Sequence, residues 1–156
     1  MSTSIRVGPT QLPRIHASVQ QALKLLDLED CAVDVFVKQN SSPNAYTMAM
    51  QGKKPFIVIH SSLIDLMSEA ELQAVIAHEL GHLKCEHGVF ITMANLLALV
   101  AENLPFVSLF SDAMRGAMMQ WMQAAELTCD RAALLVSQDP KVVVSVIMKL
   151  TGGSAG

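Results

Sequence analysis

The chain has 156 residues, 51% of them hydrophobic and 16% charged, with a formal net charge of −3. That is enough apolar material for one domain with a real core, and it excludes intrinsic disorder. No basic stripe is present, so nucleic-acid binding has no electrostatic footing.

In chain order, the opening decapeptide lacks the apolar run of a secretory signal. Residues 12–26 place Ile15, Val19, Ala22, Leu23 and Leu26 at helical spacing, with Pro13 in the first turn. His16 lies beside that stripe and reads as an ordinary surface histidine. In residues 31–38, Val33, Val35 and Val37 alternate with Asp34, Phe36 and Lys38, which is strand periodicity. Apolar runs at 45–50 and 55–60 flank a turn in which Gly52 can supply positive φ, predicting a hairpin. Pro55 fits only a strand's start or edge, Lys53 and Lys54 read as a solvated turn, and His60 ends the second strand.

Ser61 or Ser62 is then expected to cap a short helical turn over residues 63–67. Ser68 and Glu71 have the spacing of a capping box, which predicts a helix from about Glu69 to His87. Leu72, Val75, Ile76, Leu80 and Leu83 form its apolar face. Residues 88–110 are greasy, but the uncharged run before Glu102 is shorter than the roughly 20 residues a membrane span needs. A core or interfacial helix is favoured there, with membrane association through this stretch as the alternative. The remainder to Leu150 predicts several helices with breaks near Pro105 and Pro140. Trp121 and methionines such as Met114, Met118, Met119 and Met122 are expected to fill a helical core or an apolar substrate wall. The order helix, strands, helices indicates an α+β domain with a small mixed or antiparallel sheet and a helical C-terminal half. One domain spanning 1–156 is expected. Cys31, Cys85 and Cys129 form no CxxC pair, as suits buried thiols in a reducing, intracellular compartment.

The chemistry concentrates in His78-Glu79-Leu80-Gly81-His82, an H-E-x-x-H on the capped helix. Positions i and i+4 share a helix face, so two imidazoles there can hold one zinc ion. Glu79, one residue past the first ligand, is offset to the side and can reach a metal-bound water as general base. Chance alone yields such a motif on the order of 1% of the time in a chain of this composition, so a solvated helix face is the bland rival. A catalytic zinc needs a third protein ligand. Cys85 is on the same face but about 10.5 Å along the axis from His78, too far for a shared ion. Glu86 is a further candidate, and His87 falls off the face near the helix end. Glu126 and Asp130, in an E-x-x-x-D on a later helix, serve better: Glu126 completes a His₂Glu site and Asp130 accepts a ligand's ring N–H. The rival reading makes both a solvated polar stripe beside Arg131.

H-E-L-G-H followed by E-x-x-x-D resembles the gluzincins of peptidase family forty-eight, the family of the CAAX prenyl protease and HtpX. "SPNAYTM" resembles that family's edge-strand segment, and "SEAELQAVIAHELGH" resembles its active-site helix. "AAELTCDRAALL" looks closest to members from cyanobacteria and plastids. The resemblance implies a zincin-like core. It makes His78, His82 and Glu126 the ligands of one Zn²⁺ per chain, Glu79 the base and Asp130 the partner of His78. It also implies that Asn44 and Ala45 begin an edge strand that pairs with an extended protein or peptide substrate, with Asn44 helping to polarise the scissile carbonyl. The chain departs from the family pattern in having no histidine after His87, as expected of a truncated catalytic core. The function so implied is a zinc metalloendopeptidase. Two alternatives stand: a zinc-binding but inactive or regulatory domain that needs missing segments or a membrane partner, and a non-enzymatic helical module with an accidental motif.

Overall fold

The computed structural model describes residues 4–49, 53–85 and 108–152. The expected Gly52 turn, Glu86, His87, the Pro105 break and residues 88–107 lie outside them. The fold is α+β: a four-stranded mixed sheet with helices packed against it.

Helix α1 (Pro13–Leu25) starts with proline at its first turn and buries Ile15, Val19, Ala22 and Leu23, the stripe read from the sequence. Strands β2 (Asp34–Lys38), β3 (Ala45–Met48) and β4 (Phe56–His60) follow. β3 and β4 pair antiparallel, as the hairpin pattern predicts, whereas β2 and β4 pair parallel. One strand escaped the sequence reading. β1 (Ser4–Arg6) is exposed along its length, so it carries no apolar alternation, and it pairs antiparallel with β2. The strand order is β1-β2-β4-β3, which makes β3 an edge strand.

The turn lysines Lys53 and Lys54 are exposed, as expected, and Lys54 also joins a surface ion-pair cluster. Lys54 Nζ bonds Asp34 Oδ1 at 2.9 Å, and Arg6 Nη2 reaches the same oxygen at 2.5 Å. Lys54 foremost, against a partial loss of solvent and with help from Arg6, holds the Asp34 carboxyl below its usual range.

Helix α2 (Ser61–Leu66) is capped by neither serine as expected. His60 is the N-cap residue, and Ser61 Oγ instead accepts the amide of Asn40 at 3.3 Å. Helix α3 (Glu69–Lys84) carries the predicted capping box in full: Glu71 N–H donates to Ser68 Oγ at 3.3 Å, and Ser68 N–H to Glu71 Oε2 at 2.7 Å.

α3 is the centre of the molecule. Leu72, Val75, Ile76 and Leu80 are buried as expected, but so are Ala74, Ala77 and Gly81 on a second face. The first face joins a core cluster that includes Ile57 and Ile59 of β4 and Leu63, all fully buried. The second meets α4 (Ser108–Ser137), which packs along α3 more extensively than any other pair of elements. Small side chains permit that approach. A Cβ on Gly81 would stand 3.1 Å from the Cα of Cys129 and 3.2 Å from the Cβ of Ala132. Among the described side chains of α4, Ala125, Cys129, Ala133 and Val136 are buried. Two of its large apolar residues point elsewhere: Met119 is 57% exposed and Met122 37%, so of the two expected roles, core or apolar wall, neither residue fills the described core. Trp121 is half-buried. Helix α5 (Pro140–Leu150) begins at the predicted proline, with Asp139 as its N-cap accepting the Lys141 amide at 2.9 Å.

Glu71 does a second job. It is only 6% exposed, and its carboxylate also accepts Lys149 Nζ at 2.7 Å and Ser145 Oγ at 2.5 Å from α5. Burial alone pushes its carboxyl up, but Lys149, Ser145 and Ser68 together outweigh burial and hold it at about 2, against an ordinary 4.5. A folded-state value below the unfolded one means stability that is present above pH 4.5 and lost as pH falls towards 2. Glu71→Gln should therefore lower unfolding free energy by about 3 kcal/mol at neutral pH. In denaturant titrations the gap from wild type should close as pH falls from 4.5 to 2. A gap that persists unchanged at low pH would remove the charge from this explanation.

Candidate metal centre

Helical periodicity and the α3–α4 packing bring four sequence-selected side chains together. His78 and His82 lie one turn apart on α3, with ring centroids 5.1 Å apart. From α4, Glu126 Oε2 stands 3.3 Å from His78 Nε2, and Glu126 Oε1 stands 3.7 Å from His82 Nε2. One turn further on, Asp130 Oδ1 lies 3.0 Å from His78 Nδ1.

These distances have chemical content. An ionised carboxylate only accepts, so the Asp130 contact assigns the His78 proton to Nδ1. In the neutral ring, Nε2 then turns a lone pair towards the Glu126 oxygen. Two lone pairs face one another only if a proton or cation lies between them. Ligands about 2.0–2.2 Å from a tetrahedral zinc ion are about 3.4 Å from each other. The 3.3 Å between Glu126 Oε2 and His78 Nε2 fits that edge, and the other carboxylate oxygen stands 3.7 Å from His82 Nε2. The residues present therefore fit a zinc ion held by His78 Nε2, His82 Nε2 and the Glu126 carboxylate.

A second trio competes. The ligand atoms of His78, His82 and Cys129 all lie within 4.8 Å of one another. Cys129 is fully buried against Gly81, and burial, with the nearby negative charge of Glu126 next in effect, pushes its thiol up to about 12. That describes a packed neutral thiol. Glu126 has a side chain 59% exposed to solvent. Both residues are thus candidates for the third position, and the exposed Glu126 is the one an ion reaches from solvent. Cys85, weighed from sequence, is the C-cap residue of α3.

Glu79 faces the sheet. Its Oε2 accepts Thr47 Oγ1 at 2.7 Å, and its backbone carbonyl lies 3.1 Å from the same hydroxyl. Thr47 was not singled out from the sequence; a threonine in an apolar alternating run is common, and only the packing of β3 on α3 gives it meaning. Asn44 is exposed and immediately precedes β3, and Ala45 is its first residue. Both line a cavity of about 210 Å³ together with Val75, His78, Glu79, Val143, Val146 and Ile147. His60, at the end of β4, is buried; its Nδ1 lies 2.8 Å from the Ser42 carbonyl, and its ring packs edge-on against Tyr46. It steadies the loop before Asn44 rather than lining that cavity.

Among the described residues, no helix is long and apolar enough to cross a membrane. The expectation for 88–110 falls almost wholly outside them.

Comparison with known proteins gives a concordant picture. Residues 9–154 match the model of peptidase family M48. The chain is 54% identical over 154 residues to the plastoglobule-localized metallopeptidase 48, chloroplastic, of Arabidopsis thaliana, covering 98% of this chain and 44% of that protein. It is 26% identical over 171 residues to protease HtpX homolog 2 of Methanosarcina mazei, covering 94% of this chain and 58% of that protein. The crystal structure of S. mikatae Ste24p shares the fold with a TM-score of 0.58 at 15% identity, over 94% of this chain and 44% of that one. The chain thus spans about half the length of the relatives it matches.

Proposed function

The chain belongs to peptidase family M48, and from that premise we propose that it is the catalytic domain of a zinc metalloendopeptidase of gluzincin type. The observation that carries this reading is the meeting of His78, His82 and Glu126 at separations suited to one tetrahedral ion. Bound there, zinc would supply Lewis acidity, lowering the pKa of water and polarising the scissile carbonyl. Glu79 takes the proton of the attacking water and later delivers it to the leaving amine. Asp130 holds the His78 ring in the tautomer that leaves Nε2 free to ligate. Asn44 and Ala45 lead an extended substrate onto the open edge of β3 by strand addition, with Asn44 placed to polarise the scissile carbonyl. The cavity beside them accepts an apolar substrate side chain.

The substrate is accordingly a protein or peptide segment in extended form. The name of the Arabidopsis relative, plastoglobule-localized and chloroplastic, supports a plastid setting. A second reading, a zinc-binding domain that is silent or regulatory by itself, is favoured by one fact: the chain spans only 44–58% of the relatives compared. Incubating the zinc-loaded chain with an unfolded protein decides between them. Cleavage that stops on chelation and returns with zinc supports the peptidase; stoichiometric zinc with no cleavage supports the silent domain.

A further inference from the structure

The geometry points to Thr47 as a positioning residue that ties the substrate-pairing edge of the sheet to Glu79; this rests on the peptidase reading above. Thr47 lies opposite Ile57, and Ala45 opposite Ile59, so both share the face of the sheet that those isoleucines bury against the helices. From that face the Thr47 hydroxyl reaches two oxygens of one residue: Glu79 Oε2 at 2.7 Å and Glu79 O at 3.1 Å. It has one proton to give, and the shorter contact to a charged oxygen is the stronger bond. That bond fixes the carboxylate plane through Oε2 and leaves Oε1 as the oxygen that meets water.

The backbone of the same residue points the other way. The Asn44 carbonyl accepts the His60 amide at 2.9 Å. In an antiparallel ladder, alternate residues bond the same neighbour, so Asn44, Tyr46 and Met48 bond β4. Ala45 and Thr47 therefore turn their N–H and C=O groups to the open edge. Among the described residues no strand pairs there. Thr47 thus presents its backbone where an added peptide strand would bond, and its hydroxyl to the base. A peptide that orders β3 also orders Thr47, and through it the carboxylate. A misplacement of about 1 Å in a reacting group can cost about 10²-fold in rate. Threonine suits the task because its branched Cβ stiffens χ1.

A structural tether between β3 and α3 is the competing account, and Thr47→Val tests it, since valine keeps the shape and strand preference and removes only the hydroxyl. On the zinc-loaded chain with an internally quenched peptide, Thr47→Val should lower kcat about 10- to 100-fold with KM within about twofold. Zinc content and Tm should hold, and Thr47→Ser should restore most of the rate. In parallel, the Glu79 side-chain carboxyl ¹³C resonance, assigned by its loss in Glu79→Gln, should move in Thr47→Val and return in Thr47→Ser. An unchanged kcat in Thr47→Val overturns the proposal. So does a kcat loss that tracks Tm and is not rescued by serine. A wild-type chain that hydrolyses nothing counts against the peptidase reading instead. The resonance then decides the contact on its own, and an unmoved line overturns it.

Discussion

Glu79→Gln should lose about 10²–10⁴-fold in kcat, the range expected when a general base is removed, while keeping a full complement of zinc. The side chain is not among the converging donors, so metal content has no reason to fall. Glutamine is isosteric, and its amide oxygen can still accept the Thr47 hydroxyl that Glu79 Oε2 now accepts at 2.7 Å. Fold and substrate approach should therefore persist. What disappears is a carboxylate able to take a proton from water and return it to an amine. Steady-state kinetics with parallel metal analysis reads both quantities. Normal turnover in this variant would take Glu79 out of the reaction.

Substitution at Glu126 should have the opposite signature. Glu126→Ala removes one of three converging donors and leaves two imidazoles, too few for a stable zinc site. After dialysis the variant should hold well under one equivalent of zinc, and activity should fall with the metal. Asp130→Ala provides the graded comparison. It removes only the acceptor 3.0 Å from His78 Nδ1, and such a change costs about 10- to 100-fold in metal affinity. Cobalt substitution separates the two claimants for the third position. A site with Cys129 in the sphere shows intense sulfur-to-metal charge transfer, and a His₂Glu site does not. A full zinc complement in Glu126→Ala, or a thiolate band in the wild-type cobalt form, would move the assignment to Cys129.

Much of this was legible in the sequence because the signals were local. The capping box of Ser68 and Glu71, the i to i+4 histidine pair and the proline starts of α1 and α5 each depend on neighbours within a turn. The E-x-x-x-D spacing told that Glu126 and Asp130 share a helix face. It could not tell that Gly81 and Cys129 let that helix approach α3 closely enough to bring Glu126 within 3.3 Å of His78. What escaped was non-local. β1 is exposed and exists through its pairing with β2. Ser61 failed as a cap because the Asn40 amide, 21 residues away, claims its hydroxyl. Lys54, still exposed, meets Asp34 across 20 residues. Thr47 joins Glu79 across 32 residues, and no periodicity within either element marks that meeting.

The most direct measurement is anomalous diffraction at the zinc edge from crystals of the zinc-loaded chain. One ion is expected, bonded to His78 Nε2, His82 Nε2 and a Glu126 oxygen at about 2.0–2.2 Å, with Asp130 on the far nitrogen of His78. An ion bonded to Cys129 Sγ with Glu126 turned away, or no ion between the two histidines at all, would contradict it.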